Sequence, residues 1–168
     1  VLRVVRRAGL AGDRDAELLR TDAGTAGHHG AHHVDGDVRD LGLDAKRFPP
    51  RSVHGQISLW KNELVTPSQA MAKAGNIFER KHAEVYTEYQ ARLLKAGAMD
   101  FDDLLMKTVE LFRNHPEVLA HYQERFTHVL IDEYQDTNTA QNEIALSLAA
   151  GHQQITIVGD GDQCLPPG

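Results

Sequence analysis

HVLIDEYQDTN, at residues 128–138, is the stretch that decides how this chain is interpreted. Residues 129–131 are all apolar, and a short continuous apolar run is typical of a parallel-sheet strand covered on both faces. Asp132 and Glu133 follow directly, at the carboxyl end of the strand, where open α/β sheets bind their ligands. Ionised acids buried there need a cation or hydrogen-bond donors, and a metal–nucleotide site would supply both.

A second apolar run with an acidic end occurs about twenty residues later, in IVGDGDQ at residues 157–163. We expect strands near 128–132 and 155–158, joined by a helix that begins at about Thr139. The apolar side chains of this helix recur on one face, which we expect to be buried: Ile144, Ala145, Leu148 and Ala149. Strand, helix and strand make a βαβ unit, with parallel strands and a right-handed crossover.

The polar residues at the two strand ends suggest nucleotide chemistry. In phosphate-loop hydrolases an acid at the end of a buried strand holds Mg²⁺, and a following glutamate can activate the attacking water. Asp132 and Glu133 match these two roles. Gln135 and Gln163 can both donate and accept hydrogen bonds, which suits contact with a γ-phosphate. The alternative is that Asp132 and Glu133 only cap the next helix.

The stretch from about Asp40 to Gly97 is predicted to be helical. Thr66 before Pro67 indicates a helix start, and Gly97 indicates a helix end. One helix carries a stripe that we interpret as core, with stacking on nucleic acid as the alternative: Phe78, His82, Val85, Tyr86, Tyr89 and Leu93. A further helix is expected after Asp100, its N-cap. Its expected apolar stripe is Phe101, Leu104, Leu105, Thr108 and Phe112.

Composition limits the class of protein. The 168 residues carry a formal net charge of −6, with 41% hydrophobic and 25% charged residues, which is typical of a globular protein without a broad basic face. The single cysteine excludes an internal disulfide framework, and no apolar run approaches membrane-spanning length. We therefore expect a cytoplasmic protein with no membrane partner. The histidines of GHHGAHH, at residues 27–33, lie among glycines, so a biased or disordered segment is favoured over a metal site.

Three stretches resemble, in this order and spacing, the motifs of UvrD/PcrA/Rep-type superfamily 1 DNA helicases: FDDLL (101–105), HVLIDEYQDTN (128–138) and IVGDGDQ (157–163). LGLDAKRFPPRSV and ISLWKNEL look like the accessory insertion of that family. The resemblance implies an ATP-driven translocase that moves 3′→5′ on single-stranded DNA in repair or replication. It implies an α/β fold with a mostly helical inserted subdomain at 39–98 and a partial RecA-like phosphate-loop NTPase motor domain at 99–168. Residues 1–38 resemble no part of the family, and we expect them to be an atypical segment that is disordered or out of frame.

The same resemblance implies roles for single residues. Asp132 would ligate Mg²⁺, and Glu133 would be the general base. Gln163 would contact the γ-phosphate and link nucleotide state to the grip on DNA, and Gln135 would belong to the nucleotide site. The implied partners are ATP, single-stranded or duplex-junction DNA, and repair proteins. Several basic residues also lie close together in the sequence: Arg47, Arg51, His54 and Lys61. They are candidate DNA contacts, with a solvated helix face as the alternative for each, so we expect at most weak, salt-sensitive DNA binding by this chain.

The sequence also departs from the family pattern. It contains no G-x-x-x-x-G-K-[ST] loop, and CLPPG follows Gln163 where the family has an aromatic-rich run. We therefore expect an internal helicase fragment with both ends out of frame, inactive by itself. Two alternatives stay open: the motor part of a helicase–nuclease subunit, and a non-catalytic helical interaction module.

Overall fold

The computed structural model describes the backbone of residues 2–6, and residues 34 and 36–159. The chain divides into two compact units. The helical unit contains the described residues of Ala23–Met106, and the sheet unit contains residues 2–6 and the described residues of Lys107–Gly168. The three predicted domains stay a prediction, and most of the segment predicted at 1–38, including the GHHGAHH histidines, lies outside the described residues.

The helical unit contains α1 (Pro50–Asn62), α2 (Pro67–Lys73), α3 (Ile77–Lys95) and the beginning of α4 (Phe101–Asn114). Local sequence explains where these helices start and stop. Thr66 and Gln69 form a reciprocal capping box at the start of α2, as Thr66 before Pro67 predicts. Gly97 follows α3 with a φ of 62°, a conformation that glycine adopts at little cost.

Side chains from several segments form the core of the helical unit. Its fully or nearly fully buried members are Val34, Val38, Phe48, Val53, Ile57, Ala70, Ala83, Val85, Tyr86 and Tyr89. The core interpretation of the α3 stripe is therefore confirmed for Val85, Tyr86 and Tyr89. It is wrong for Phe78, whose ring is 45% exposed and lies under the guanidinium of Arg47.

The stripe predicted for α4 is confirmed at Phe112, which is buried, but it is wrong at Leu104. Leu104 is 49% exposed, whereas Asp103 and Met106 are buried. The physical reason is an ion pair: the carboxylate of Asp103 faces the ammonium of Lys61, and this contact turns a different side of the helix inward.

The sheet unit contains β1 (Leu2–Arg6), α5 (Pro116–Arg125), β2 (Phe126–Ile131), a 3₁₀ turn (Tyr134–Asp136), α6 (Thr139–Ala149) and β3 (Ile155–Ile157). The sheet order is β1-β2-β3. β2 and β3 are parallel, with Val129 opposite Ile155, so the predicted β2-α6-β3 arrangement is confirmed. β1 pairs with β2 in the antiparallel direction, so the described sheet is mixed rather than wholly parallel as predicted.

Burial supports the α/β interpretation of the sheet unit. Val129 and Ile131 of β2 are buried, while Leu130, which points to the other face, is only partly covered by the described residues. All four side chains predicted to face inward from α6 are buried, together with Ala140. Within the part of the chain that the structure describes, no helix has the length and apolar character needed to cross a membrane.

Candidate functional site

The carboxyl ends of β2 and β3 are tied together by the backbone. The amide of Val158 donates to the carbonyl of Ile131 at 2.8 Å, and the amide of Tyr134 donates to the carbonyl of Val158 at 3.1 Å. Asp132 and Glu133 occupy the interval between these two bonds. The acids predicted from the sequence therefore lie at the carboxyl edge of the parallel pair, where α/β sheets bind ligands.

Glu133 has an unusual backbone conformation. Its φ of 56° and ψ of 52° lie in the left-handed region, and its side chain is exposed. A non-glycine residue in this region costs about 1–2 kcal/mol relative to ordinary backbone. Such conformations are concentrated at functional sites, where the surrounding structure enforces them. The left-handed turn sends the chain sharply away from β2 immediately after the half-buried Asp132.

Gln135 lies on the 3₁₀ turn, close to the chain that leaves β3. A Cβ atom on Gly159 would lie 2.9 Å from Gln135 Oε1 and 3.4 Å from the backbone nitrogen of Tyr134. A larger residue at position 159 would have to displace the end of the Gln135 side chain, so the second strand end packs closely against the turn that follows the first. Gln135 was identified from the sequence, but Gly159 was missed. The position of Gly159 near the end of the second apolar run is the pattern that could have indicated a close approach there.

The end of the HVLIDEYQDTN stretch has a structural explanation of its own. The hydroxyl of Thr137 donates to the carbonyl of Tyr134 at 2.7 Å and closes the 3₁₀ turn. Asn138 Oδ1 accepts from the amide of Gln141 at 2.8 Å, and Gln141 Oε1 accepts from the amide of Asn138 at 3.2 Å. This capping box starts α6. Helix capping thus belongs to Asn138 rather than to the two acids.

The donor types at the strand ends fit a magnesium–nucleotide site. Among the residues that the structure describes, no group of three or more His, Cys, Asp or Glu side chains could enclose a metal ion. Mg²⁺ in nucleotide sites does not need such a group, because it takes one or two carboxylates together with phosphate oxygens and water. Asp132 offers a carboxylate of this kind. Gln163 lies outside the described residues.

One of the predicted DNA contacts is wrong. Lys61 is fully buried, and its Nζ lies 2.6 Å from Asp100 Oδ2 and 2.9 Å from Asp103 Oδ1. An ammonium held between two carboxylates inside the protein cannot reach a phosphate of DNA. Arg47 and Arg51 are exposed and stay candidates.

Further hydrogen bonds surround the Lys61 ion pairs. The hydroxyl of Tyr89 donates to Asp100 Oδ2 at 3.0 Å, and Gln90 Nε2 donates to Asp103 Oδ1 at 2.9 Å. Burial, and then the neighbouring charge of Asp100, raises the pKa of Tyr89 well above its usual value, so the phenol stays protonated. We call Lys61, Tyr89, Gln90, Asp100 and Asp103 the buried lysine cluster.

The remaining acid of this stretch is held from α1. Asp102 Oδ2 accepts from the hydroxyl of Ser58 at 2.6 Å, and Asp102 Oδ1 accepts from Asn62 Nδ2 at 3.3 Å. All three acids of residues 100–103 therefore have partners inside the helical unit. Their arrangement is structural, in contrast to that of the acids after β2.

Comparison with known proteins identifies the family. Residues 5–165 match the UvrD/REP helicase N-terminal domain, and the chain therefore belongs to this family, as its motifs predicted. It is 44% identical over 132 residues to the ATP-dependent DNA helicase PcrA of Bacillus subtilis (strain 168), a match that covers 79% of this chain and 18% of that protein.

Two further relatives have the same description. The ATP-dependent DNA helicase PcrA of Leuconostoc citreum is 44% identical over 128 residues, which are 76% of this chain and 17% of that helicase. PcrA of Staphylococcus aureus (strain Mu50 / ATCC 700699) is 43% identical over 128 residues, 76% of this chain and 18% of that helicase. The chain thus spans a minor part of the length of the relatives that it matches.

Proposed function

We propose that this chain forms the magnesium- and nucleotide-facing part of an ATP-dependent DNA helicase motor. The observation that carries the proposal is the pair of acids, Asp132 and Glu133, held at the tied carboxyl ends of β2 and β3 in a chain of the UvrD/REP family. In this proposal residues 99–168 belong to a RecA-like domain, and residues 39–98 are a helical subdomain inserted into it.

Each polar residue at the strand ends has a proposed role. Asp132 would hold Mg²⁺, which when bound neutralises charge on the β- and γ-phosphates. Glu133 would accept a proton from the attacking water, and its exposed carboxylate can approach a ligand without moving the backbone. Gln135 and Gln163 would hold the γ-phosphate through their amide groups.

The strained geometry of Glu133 supports a catalytic function over a purely structural one. Asn138 and Gln141 already cap α6, so the acids are not needed for that purpose. A helical interaction module would gain nothing from an exposed acid in the left-handed region. The proposed translocase moves 3′→5′ on single-stranded DNA in the cytoplasm, in repair or replication and together with repair proteins.

The 168-residue chain by itself should not hydrolyse ATP. The sequence contains no G-x-x-x-x-G-K-[ST] loop, so the backbone amides and the lysine that cradle the phosphates in this class are not supplied. Without these donors, most of the electrostatic stabilisation of phosphoryl transfer is lost. DNA-stimulated ATPase activity of the purified chain, above that of its Glu133→Gln variant, would contradict this expectation.

A chimera tests the roles of the two acids. Residues 39–159 of this chain would replace the matching segment of PcrA from Bacillus subtilis, which supplies the rest of the motor. Glu133→Gln should keep nucleotide binding and lower turnover by at least about a hundredfold, as expected for loss of a general base. Asp132→Ala should weaken the magnesium-dependent part of nucleotide binding. Nucleotide binding would be followed with a fluorescent ATP analogue, with and without Mg²⁺.

Glu143→Gln is the matched control, because Glu143 lies on the surface of the same unit and pairs with Arg113. It removes one carboxylate and should leave turnover unchanged. If Glu133→Gln turns over ATP as fast as Glu143→Gln in an active chimera, Glu133 is not the base.

A further inference from the structure

A small cavity lies within the helical unit. Its volume is about 180 Å³, and it is lined from α1 by Gln56 and Trp60, from α2 by Lys73, and from α3 by Glu79 and His82, with two alanines. This volume is below the range of about 300–1,000 Å³ for pockets that hold drug-sized ligands. The cavity therefore suits a compact, flat group.

The apolar part of the cavity is aromatic. Trp60 stacks on Tyr86, with ring centroids 5.8 Å apart and planes inclined by 19°. Tyr86 is fully buried, and its hydroxyl donates to the carbonyl of Val65 at 3.2 Å, which fixes the ring beneath the indole. The remaining surface of Trp60 lines the cavity as a rigid platform, and such platforms bind nucleobases by stacking.

The polar part of the cavity offers the groups that recognise the edge of a base. Glu79 Oε2 accepts from the amide of Gly75 at 2.7 Å, which orients this carboxylate. Burial lowers the pKa of His82, and the charge of Glu79 offsets part of this change, so the imidazole is neutral at pH 7 and has one donor and one acceptor nitrogen. Gln56 adds an amide that can donate and accept.

Lys73 supplies a positive charge beside these groups. It is exposed, it lies in the last turn of α2, and it lines the same cavity. A stacking platform, a hydrogen-bonding edge and an adjacent ammonium correspond to the three parts of a nucleotide that proteins contact: the face of the base, its edge and the phosphate.

We propose that this cavity receives one unstacked base of a DNA single strand, and that it prefers adenine and cytosine, which have an exocyclic amino group, over thymine. Trp60 stacks on the base, Glu79 accepts a hydrogen bond from the exocyclic amino group, and Lys73 contacts the neighbouring phosphate. Thymine has no exocyclic amino group and leaves the carboxylate without this donor. The assignment rests on the proposed function only in taking DNA as the partner.

The chain offers a direct test, because Trp60 is its only tryptophan. Single strands of about ten nucleotides, within the site size of single-strand binding folds, would be titrated as homopolymers of dA, dC and dT. Trp60 emission reports occupation of the cavity, and anisotropy of the same strands with a fluorescein label reports binding to any part of the chain. We expect dA and dC strands to quench Trp60 over the concentration range in which anisotropy rises, and to bind about tenfold more tightly than dT.

Variants at exposed positions sharpen the test without disturbing the core. Glu79→Ala should remove the preference over dT, while Lys73→Ala should weaken all three strands about equally and reduce the salt dependence of binding. Lys95→Ala is the charge-matched control, because Lys95 is exposed at the opposite end of α3, and it should change binding much less than Lys73→Ala. Far-UV circular dichroism would verify that each variant is folded.

The two measurements separate the cavity from the proposed function. A rise in anisotropy without quenching of Trp60, or equal quenching by all three strands, overturns the cavity assignment and leaves DNA as the partner. No response in either measurement overturns the cavity assignment, whereas the proposed function is overturned only by the chimera that tests Asp132 and Glu133. Deoxyadenosine monophosphate should quench Trp60 only at much higher concentrations than the dA strand. If it quenches Trp60 at the same concentrations, the cavity binds a free nucleotide and not a base of a DNA single strand.

Discussion

The two units of the molecule each contain an acid-rich stretch, and they use it in opposite ways. In the helical unit, Asp100 and Asp103 face the ammonium of Lys61, which is fully buried. In the sheet unit, Asp132 is half-buried and Glu133 is exposed at the end of β2. Both stretches contribute to the resemblance to helicases. The first faces a buried lysine, and the second lies at the carboxyl ends of the parallel strands, where we propose that Mg²⁺ binds.

The comparison shows how a structural acid differs from a candidate functional one. The positive charge near a structural acid comes from a side chain of the protein, whereas the positive charge near a functional acid would come from a bound cation. An ion pair inside a protein loses the hydration of both partners, so removing one partner leaves an expensive buried charge. An ionised acid that stays in contact with water remains hydrated, so its charge does not need a partner inside the protein. Stability should therefore respond strongly to changes in the first stretch and weakly to changes in the second.

The largest effect is expected for Lys61→Ala. Asp103 is 1% exposed, so loss of the ammonium leaves its carboxylate without a counter-charge, and the free energy of unfolding should fall by about 3–5 kcal/mol. Urea denaturation followed by circular dichroism measures the change.

Lys81→Ala is the matched control for this prediction. Lys81 pairs with Glu84 at 2.6 Å, the same distance as Lys61 to Asp100, but the two side chains are 34% and 32% exposed. The expected loss is below about 1 kcal/mol because solvent screens the pair. Equal losses for the two variants would show that burial does not set the strength of the pair.

A smaller effect is expected when one acid from each stretch becomes an amide. Asp103→Asn keeps the shape of the side chain but removes the charge that faces Lys61, and should cost about 2 kcal/mol. Glu133→Gln changes an exposed side chain and should alter the free energy of unfolding by less than about 0.5 kcal/mol. If Glu133→Gln is more destabilising than Asp103→Asn in urea denaturation, the expected difference between the two acidic stretches is wrong.

A change of the opposite sign is expected for Glu133→Gly, which should increase stability. Glu133→Gly removes the cost of the left-handed backbone, and the free energy of unfolding should rise by about 0.5–1 kcal/mol after the greater freedom of unfolded glycine is included. Gln153→Gly is a control of the same kind, because Gln153 is exposed and has a φ of 55°. Thermal denaturation should show similar gains for both, whereas only Glu133→Gly should abolish turnover in the chimera. A loss of stability confined to Glu133→Gly would mean that the carboxylate holds the turn together.

Local patterns in the sequence predicted much of the fold. The buried face of α6 and the ends marked by Thr66 and Gly97 depend on residues a few positions apart. The parallel pairing of β2 with β3 joins more distant residues, but it follows from the single helix that connects two short apolar strands. At these positions the residue propensities, the helix caps and the hydrophobic periodicity agree with the tertiary structure, so the sequence alone is sufficient to predict them.

Long-range partners could not be predicted in the same way. Lys61 is a candidate DNA contact in the sequence because several basic residues lie close together around it, whereas its actual partner Asp100 is 39 positions away. The ion pair of Lys61 with Asp103, which is also distant in the sequence, likewise explains why Leu104 is exposed in α4. At the candidate site, the sequence identified Asp132, Glu133 and Gln135, but the left-handed turn at Glu133 and the close approach at Gly159 arise only when the two strand ends meet.

The complete burial of Lys61 also makes it a chemical reporter of motion. Acylating reagents attack amines that meet solvent, so the exposed Lys46, Lys73 and Lys95 should react at once. Lys61 becomes available only when α1 separates from the acids at the start of α4. The rate of Lys61 acylation, measured by mass spectrometry, would therefore report how often the helical unit opens. Equilibrium unfolding experiments do not measure this frequency.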